Sequence, residues 1–443
     1  MKVMHIGLDD TDSPRTGCTT YITALLVEKL KKIGAEFIDY PNLIRLNPNV
    51  PWKTRGNGAL CLRILYNESR EERIKDTVIS QVEEHADLEY EGTDPGIVFF
   101  GEKRIPKEIR MFARKTITGI VDLKDALKLV KRFRAEAVGF KKRRGIIGGL
   151  AAVGETLQED YTYEILVYRT QKNRGSRRRV DESSIIRMDN ATKPHTFNNV
   201  DLEKRRILIA PRGPDPILFG IRGETPEAVK EAFEMIKLLE PVERWVIFRT
   251  NQGTDAHLKH VRNLSQIKPH NPIIARGTVA ANPKIVPRRH IIFPIKDDGE
   301  NVDCAAYEPT GALRKAAVKL IAGDYVEVYG GVRVSQSHPL TINLEKIKVI
   351  RLAPNTVLRN PLCTNCGKRL ESMGRDKGFR CKRCGRRYAD IAKVEVTTPR
   401  HIKKGLYITS PRSQRHLTKP LRRYGMEKRH ILVEELIDVW HFP

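Results

Sequence analysis

Four cysteines in two tight pairs constrain the fold of this 443-residue chain more than any other feature. Cys363 and Cys366 are followed, after fourteen intervening residues, by Cys381 and Cys384. Pairs at this spacing can bring four thiolates tetrahedrally around Zn²⁺, and such a closed site leaves no open position for catalysis. Tight pairs also fit metal ligation in a reducing compartment better than a disulfide framework. The sequence therefore predicts a structural zinc ribbon near the C-terminus.

Basic residues are concentrated around these cysteines. Residues 355–443 contain 21 Lys and Arg against 8 Asp and Glu, a surplus of 13, so one fifth of the chain carries half of its net charge of +26. Such a surplus is typical of a surface that follows a nucleic-acid backbone, although a solvated basic face has the same composition. We expect this region to bind RNA, and the candidate contacts are Arg380, Arg383, Arg412 and Arg415.

The remaining composition argues against a membrane protein. The sequence has no apolar run as long as a membrane helix, and its N-terminus enters a strand without a signal-like segment. Because the basic residues are not paired with a long amphipathic helix, an anionic membrane is the weaker candidate partner. We expect a cytoplasmic protein with no membrane partner.

An acidic turn follows the first predicted strand. Asp9, Asp10 and Asp12 lie within four residues, and carboxylates crowded in this way repel one another unless some are protonated or a divalent ion such as Mg²⁺ lies among them. Thr19 and Thr20 then open a predicted helix whose first amides could face a phosphate. The alternative is a solvated loop, with Asp12 or Ser13 as a turn former and Thr19 as a helix cap.

Two loops combine cations with glycines. The loop at residues 47–58 contains Lys53 and Arg55 beside two glycines, so that backbone and cations can close on an anion. In residues 141–152, four consecutive cations lead into glycines and a small-residue helix, which allows close approach to a phosphate. Neither loop is a Walker A motif, and an exposed hairpin turn or a structural basic turn would have the same composition.

Hydrophobic periodicity indicates a multidomain α+β chain. An α/β unit is followed by a strand–helix order that suits a small ferredoxin-like module, and then by five strands between residues 273 and 352. A short helix between the third and fourth of these strands favours an OB-fold over a generic small barrel, and OB-folds commonly hold single-stranded nucleic acid. The predicted domains are residues 1–197, 198–268, 269–354 and 355–443.

Two acidic residues in the second predicted domain could bind a cation. Asp215 lies in a turn stiffened by three prolines, and Glu224 lies just past the next strand. Either could pair with a guanidinium or an amine, although Asp215 could also be a simple turn former. Four sulfurs already complete the zinc site, so four histidines are interpreted as polar surface or hydrogen-bonding residues and not as ligands: His195, His257, His270 and His416.

The chain resembles the archaeal tRNA(Ile) 2-agmatinylcytidine synthetase family. The resemblance covers essentially the whole length in order, and it rests on LDDTDS with CTTY, PWKTRGNGA, KKRRGIIGGLAA, GPDPILFGIRGE, SPRSQRHL and the two cysteine pairs. It implies a kinase-like α/β domain, a ferredoxin-like domain, an OB-fold and a zinc ribbon. It also implies an ATP-dependent, AMP-forming ligase that joins agmatine to the 2-position of the wobble cytidine of isoleucine tRNA with a CAU anticodon, so that the tRNA reads AUA.

The resemblance also implies roles for individual residues. The acidic turn would hold Mg²⁺, and Thr19 matches a threonine that the family's kinase-like domain phosphorylates. The cationic loops would hold ATP through Lys53, Arg55, Lys141, Arg143, Gly145 and Gly148. The acidic pair of the second domain, Asp215 and Glu224, would bind agmatine. We infer no obligate protein partner.

Two alternatives from other functional classes stay open on the sequence. An OB-fold with a basic zinc ribbon would suffice for a non-enzymatic protein that binds single-stranded nucleic acid. An RNA kinase that leaves phosphate on its substrate is the second alternative. The clustered carboxylates and the glycine-rich cationic loop favour an enzyme, because a passive binder does not need them.

Overall fold

The computed structural model describes residues 1–335, 338–428 and 435–443. The first part alternates strands and helices, as predicted for an α/β unit. Its elements are β1 Lys2–Asp9, α1 Thr19–Ile33, β2 Glu36–Phe37, β3 Asn42–Arg45, β4 Gly58–Tyr66, α2 Glu71–His85, β5 Gly96–Phe100, α3 Lys107–Thr118, α4 Leu123–Arg132, β6 Glu136–Gly139 and α5 Gly145–Gly154.

The next part contains fewer helices. Its elements are β7 Thr162–Arg169, α6 Glu182–Ala191, β8 Thr196–Phe197, β9 Val200–Asp201, β10 Arg206–Ile207, β11 Ile217–Gly223, α7 Pro226–Glu234 and β12 Val242–Thr250. Helix α7 ends at Glu234, and the short strand β10 pairs with β9 and not with the main sheet.

One mixed sheet joins these two parts. Within the described residues it has eleven strands, in the order β6-β5-β1-β4-β3-β12-β7-β11-β8, with β2 added on β4 and the C-terminal strand on β12. The two halves meet where β12 runs parallel to β3, with Arg249 opposite Asn42. Strand β7 pairs with β11 and β12, so the boundary predicted after residue 197 does not follow the strand pairing. A continuous core of buried apolar side chains lies on both sides of that boundary.

The central strand and the first helix position the acidic turn. Strand β1 is paired on both sides, by β4 and β5, and residues 4–8 are buried. Helix α1 buries its apolar face and ends at Gly34, whose φ of +87° gives the left-handed cap that glycine adopts without strain. Helix α5 lies directly on β1 because Gly7 of the strand meets Gly149 of the helix at the contact. A Cβ built on Gly7 would lie 2.0 Å from the carbonyl oxygen of Gly149.

A barrel follows. Its elements are β13 Lys259–His260, β14 Pro272–Val279, β15 Lys284–Val286, β16 His290–Asp297, β17 Glu300–Ala306, α8 Ala312–Ala317, β18 Tyr325–Ser335 and β19 His338–Arg351. The five long strands close on themselves in the order β14-β16-β17-β19-β18, since β14 pairs with both β16 and β18. This confirms the predicted five strands and the helix between the third and the fourth.

The last part of the chain forms a ribbon, and the described residues from Gly405 onward, the returning segment, pair again with the barrel and the main sheet. Its strands are β20 Asn355–Arg359, β21 Glu371–Ser372, β22 Phe379–Arg380, β23 Arg387–Tyr388, β24 Val394–Thr398, β25 Gly405–Ile408 and β26 His441–Phe442. Strands β21 to β23 form the ribbon sheet, whereas β25 pairs with β19 of the barrel and β26 pairs with β12 of the main sheet. Trp440 is 4% exposed and packs against Phe37 and Tyr40. The chain therefore returns to the first domain after the ribbon.

A buried carboxylate joins the barrel to the returning segment. Glu345 on β19 accepts hydrogen bonds from His257 Nε2 at 3.2 Å and from Thr418 Oγ1 at 2.6 Å, and its carboxylate lies 3.8 Å from the Arg415 guanidinium. Burial alone would raise the pKa of Glu345, but His257, Arg415 and the Thr418 hydroxyl together hold that pKa below its usual range.

We therefore expect Glu345→Gln to destabilise the protein in a pH-dependent way. A carboxylate whose pKa is lowered by folding stabilises the native state above its unfolded pKa of about 4.3, and this stabilisation is lost as the pH falls below that value. The Tm difference between parent and variant should be largest at neutral pH and should shrink in thermal scans toward pH 3. Glu395→Gln, on an exposed residue, is the matched control; an equal shift there, or a gap that does not vary with pH, would contradict this assignment.

Candidate active site

The three predicted carboxylates line one cavity of about 280 Å³. Asp9 is the last residue of β1, and the chain turns at Asp10, whose φ is +61°. The start of α1 forms the opposite wall, where the Thr19 hydroxyl accepts a hydrogen bond from Thr11 Oγ1 at 3.0 Å. The structure thus brings the acidic turn and the threonine pair of the helix start together, as the sequence predicts.

Two arginines compensate part of this negative charge. Arg55 Nε donates to Asp12 Oδ2 at 2.6 Å, and Arg144 Nη2 donates to Asp10 Oδ2 at 3.0 Å. Asp9 has no ion pair in the described part of the chain. Burial and the neighbouring Asp10 carboxylate raise the pKa of Asp9 well above its usual range, and burial raises that of Asp10 to about 6. A site that holds carboxylates at such a cost is suited to a cation.

The glycine-rich helix start leaves room for this cluster. A Cβ built on Gly148 would lie 1.8 Å from Asp9 Oδ2, so any side chain there would displace the carboxylate. Gly145 instead packs against the backbone of Gly96 and does not line the cavity. The contact with ATP predicted for these two glycines has a structural counterpart only at Gly148.

The cations of the second loop are arranged differently from the prediction. Lys141 and Arg143 are exposed, and neither lines the cavity. Both have positive φ, of +53° and +58°, so consecutive side chains diverge along this turn. Arg144, which the prediction passed over, is the cation of the four that lines the cavity. In the first loop, Lys53 and Arg55 both line it.

The two predicted agmatine contacts are separated. Asp215 lines the cavity and accepts hydrogen bonds from Arg55 at 3.4 Å and from Arg178 at 3.3 Å. Glu224 is 4% exposed and accepts two hydrogen bonds from the buried guanidinium of Arg423, the shorter at 2.6 Å. Glu224 therefore fixes the returning segment to the second domain and does not reach the cavity.

Sequence reasoning missed two further cavity residues. Arg45, at the end of β3, has no side-chain ion pair in the described residues, and its Nε is buried without a hydrogen-bond partner. His416 lies partly buried in the cavity wall, hydrogen-bonded to Arg222 at 2.8 Å and to Gln252 at 2.9 Å, so it is a hydrogen-bonding residue as predicted. Burial and the guanidinium of Arg45 lower the pKa of His416 well below its usual range, which keeps it neutral.

A second cavity of about 240 Å³ adjoins the first. Arg45 and His416 belong to the walls of both. Its other walls are largely apolar, and the carboxylate of Glu164 lies in it, paired with Arg222 at 3.0 Å.

Comparisons with known proteins identify the family. Family models match residues 5–142 as the TiaS TCKD domain, residues 143–257 as the TiaS FLD domain and residues 360–402 as the TiaS C-terminal zinc ribbon domain. The isoleucine-tRNA 2-agmatinylcytidine synthetase TiaS of Methanocaldococcus jannaschii is 43% identical over 430 residues, which cover 95% of this chain and 99% of that protein. The chain belongs to the TiaS family. The TiaS of Pyrococcus horikoshii is 43% identical over 95% of this chain and 97% of its own length.

Solved TiaS structures share the whole architecture. A crystal structure of TiaS in complex with isoleucine tRNA and ATP has a TM-score of 0.85 at 38% identity, over 96% of this chain and 98% of that one. A crystal structure of TiaS with isoleucine tRNA, AMPCPP and agmatine has a TM-score of 0.84 at 37% identity, over the same shares. The family resemblance is thereby confirmed. The family models place a domain limit after residue 142, whereas the sequence analysis placed it after residue 197.

The zinc site of this TiaS family member has the predicted ligands. The four sulfurs lie within 4.8 Å of one another, with Cys363 Sγ 3.5 Å from Cys384 Sγ and Cys366 Sγ 3.4 Å from Cys381 Sγ. Four sulfurs this close suit a tetrahedral Zn²⁺ with Zn–S distances of about 2.3 Å. No described helix is both long and apolar enough to cross a bilayer.

The predicted RNA contacts divide into two pairs. Arg380 and Arg383 on the ribbon are exposed and have no ion pair in the described residues. Arg412 instead pairs with Asp201 at 2.7 Å, and Arg415 is hydrogen-bonded to Asn49. Because these last two guanidinium groups connect domains of the protein itself, the structure leaves mainly the ribbon pair free for RNA.

Proposed function

We propose that this chain is an ATP-dependent synthetase that joins agmatine to the 2-position of the wobble cytidine of the isoleucine tRNA with a CAU anticodon. The observation that carries the proposal is the cavity in which Asp9, Asp10 and Asp12 meet the start of α1, in a chain that matches TiaS proteins over its whole length. A nucleic-acid binder without an activity has no use for two buried carboxylates, Asp9 and Asp10, whose pKa values are raised. Within enzyme classes, we place the protein among the AMP-forming ligases, as the resemblance implies.

The residues of the cavity fit ATP with Mg²⁺. Asp9 lacks an ion pair in the described part of the chain and has a raised pKa, so it is the carboxylate with most to gain from a metal ion, and Asp10 and Asp12 lie beside it. Mg²⁺ bound there would neutralise charge on the phosphates. Arg55, Arg144 and Lys53 would contact the phosphates of ATP, and Gly148 would let them approach the helix start. Lys141, Arg143 and Gly145 would act from outside the cavity.

The chemistry requires activation of a poor leaving group. The oxygen on C2 of cytidine would attack the γ-phosphorus of ATP, so that an O–P bond forms, the bond to the β-phosphate oxygen breaks and ADP leaves. Hydrolysis of the α–β bond of that ADP by water would give the AMP and a second phosphate. The primary amine of agmatine would then attack C2. A C–N bond forms, the C–O bond breaks, phosphate leaves with the oxygen, and the amine loses a proton. Thr19, in the cavity wall, is placed where its hydroxyl could accept a phosphoryl group.

Agmatine needs an anion for its guanidinium and an apolar path for its chain. Asp215 provides the first, because it already accepts from two guanidinium groups at the edge of the cavity. The adjoining 240 Å³ cavity, with apolar walls, is a suitable space for the aminobutyl chain. Glu224 does not line the cavity, whereas Asp215 does, so the geometry supports Asp215 over Glu224.

The other domains would present the RNA. The main sheet would supply a kinase-like part and a ferredoxin-like part, and the strand order of the barrel, with its helix after the third strand, supports an OB-fold. The ribbon would hold RNA through Arg380 and Arg383, while the target base leaves the anticodon stack to reach the cavity. Because the proposed substrate is tRNA, we place the protein in the cytoplasm, and we infer no obligate protein partner.

Mass analysis of the tRNA product tests the proposal. After incubation with ATP, agmatine and magnesium, digestion of the isoleucine tRNA should yield a wobble nucleoside heavier by agmatine minus water. A matched transcript with uridine at the wobble position should stay unmodified. A gain of phosphate alone would identify an RNA kinase, and an unchanged mass with intact tRNA binding would identify a passive binder; either result would overturn the proposal.

A further inference from the structure

A larger cavity of about 990 Å³ lies beside the cavity lined by Asp9, Asp10 and Asp12, which is the proposed catalytic cavity. It is an open groove between the loop that follows β7 and the loops on either side of β10. Pro211 and Asp215 line both spaces, so the groove leads directly to the proposed reaction site. Nothing in the proposed chemistry of ATP or agmatine requires it.

The groove is strongly basic, and most of its cations are free. Seven Lys and Arg side chains line it, against the two carboxylates of Glu182 and Asp215. Five of the seven have no ion pair in the described part of the chain: Arg177, Lys204, Arg205, Arg206 and Arg212. The Nε of Arg206 is in addition buried without a hydrogen-bond partner. Cations left unpaired in one concave surface repel one another, which favours an anionic ligand there.

The remaining two cations hold the groove in shape. Arg169 is 1% exposed and donates to Glu240 and to the carbonyl of Ser176 at 2.7 Å. Arg178 donates to the carbonyls of Gly213 and Asp215, at 3.0 and 2.9 Å. These bonds fix the backbone of the loops that carry the free cations. The groove is therefore built before any ligand arrives.

We propose that this groove binds the phosphodiester backbone of the single-stranded RNA that flanks the target base. A base that enters the cavity leaves its neighbours in a strand outside it, and because Pro211 and Asp215 line both the cavity and the groove, the groove is a surface next to that strand. Among the described residues, none that lines the groove is aromatic, so stacking on bases has no platform there. The contacts are to phosphates, and they position the strand without reading its sequence.

This inference rests on the proposed function only in taking RNA as the substrate. Its test uses the full chain with Lys204→Gln, Arg205→Gln and Arg212→Gln combined, because all three side chains are exposed and, within the described residues, make no ion pair whose loss would unfold the protein. The matched control removes the same charge from the helical region at α3 and α4, with Lys103→Gln, Lys107→Gln and Lys131→Gln. Equal Tm values for the two variants establish that both are folded.

The readout is binding of an anticodon stem-loop RNA at several salt concentrations. In the groove variant, Kd should rise about tenfold or more at 0.1 M salt, and the slope of log affinity against log salt should become shallower by about 2, since each lost single-strand phosphate contact removes about 0.7. The control variant and a blunt duplex RNA should show neither change. Changing the loop sequence should leave the effect unaltered.

Two results would overturn the inference. Equal Kd values and slopes for the groove and control variants would show that the groove does not touch RNA. An effect confined to the KM for ATP would assign the groove to nucleotide phosphates instead. Because the measurement is binding, a parent enzyme that fails to incorporate agmatine would end the proposed function without deciding this one.

Discussion

Asp9→Asn is expected to reduce agmatine incorporation by about 10³-fold or more while leaving the Tm unchanged or raised. Among the described residues, Asp9 is the carboxylate of the cavity without an ion pair, and burial together with the Asp10 carboxylate makes its charged form costly. The amide has nearly the same shape, so it removes the charge without emptying space. A metal-organised phosphoryl transfer that loses one carboxylate loses several kcal/mol of transition-state stabilisation, which is about three factors of ten in rate.

A loss of agmatine incorporation together with an unchanged or raised Tm identifies Asp9 as a functional carboxylate and not a structural one. A structural aspartate that is neutralised usually lowers the Tm, because its partners lose their bond. Product formation is followed by mass analysis, tRNA affinity by titration and stability by thermal scan. Asp376→Asn, on an exposed ribbon residue, is the matched control and should change none of them. A variant with normal turnover, or one that loses tRNA binding in proportion to activity, would show that the cavity is not the reaction site.

Local features of the site could be predicted from the sequence, because neighbouring residues supply them. Asp9, Asp10 and Asp12 share one turn, and the two cysteine pairs share one ribbon, so their spacing alone brings them together. The choice among adjacent cations could not be predicted. Lys141, Arg143 and Arg144 occupy a turn with two positive φ angles, and only the backbone conformation decides that Arg144 faces the acid.

Features that depend on contacts between distant parts of the chain could not be predicted from the sequence. His416 lies in the cavity wall and is hydrogen-bonded to Gln252, which is more than 160 residues away in the sequence. Strand β12 pairs with β3, which joins two predicted domains into one sheet, and no local pattern specifies a strand's partner. Helix α3, in contrast, could have been recognised from the sequence, because its buried residues follow the helical period: Ile109, Phe112, Ala113, Thr116 and Ile117.

We expect the zinc ribbon to fold and unfold independently of the rest of the chain. Its own core consists of four buried residues, two of them zinc-ligating cysteines: Cys363, Leu370, Phe379 and Cys381. A core of this size cannot offset the entropy of ordering the ribbon, whereas structural zinc contributes about 10–16 kcal/mol of apparent binding energy. The main sheet and the barrel have separate, much larger cores.

Cys381→Ser should therefore release zinc and unfold the ribbon alone. Zinc content should fall from one ion per chain toward zero, and the Tm of the main transition should stay within a few degrees of the parent. Affinity for the isoleucine tRNA should fall by about 100-fold, because the exposed cations Arg380 and Arg383 lose their fixed positions, and the salt dependence of binding should weaken with it. ATP binding to the isolated protein should be unaffected, since the ribbon contributes no described residue to the catalytic cavity.

The control is Cys304→Ser, at a cysteine buried in the barrel and outside the zinc cluster. It should keep its zinc and its tRNA affinity even if the barrel loses some stability. Zinc measured by atomic spectroscopy, together with tRNA titration, separates the two variants. If Cys381→Ser lost its zinc but bound tRNA as tightly as the parent, the ribbon would be a scaffold, and the RNA would be held by the barrel and the basic groove instead.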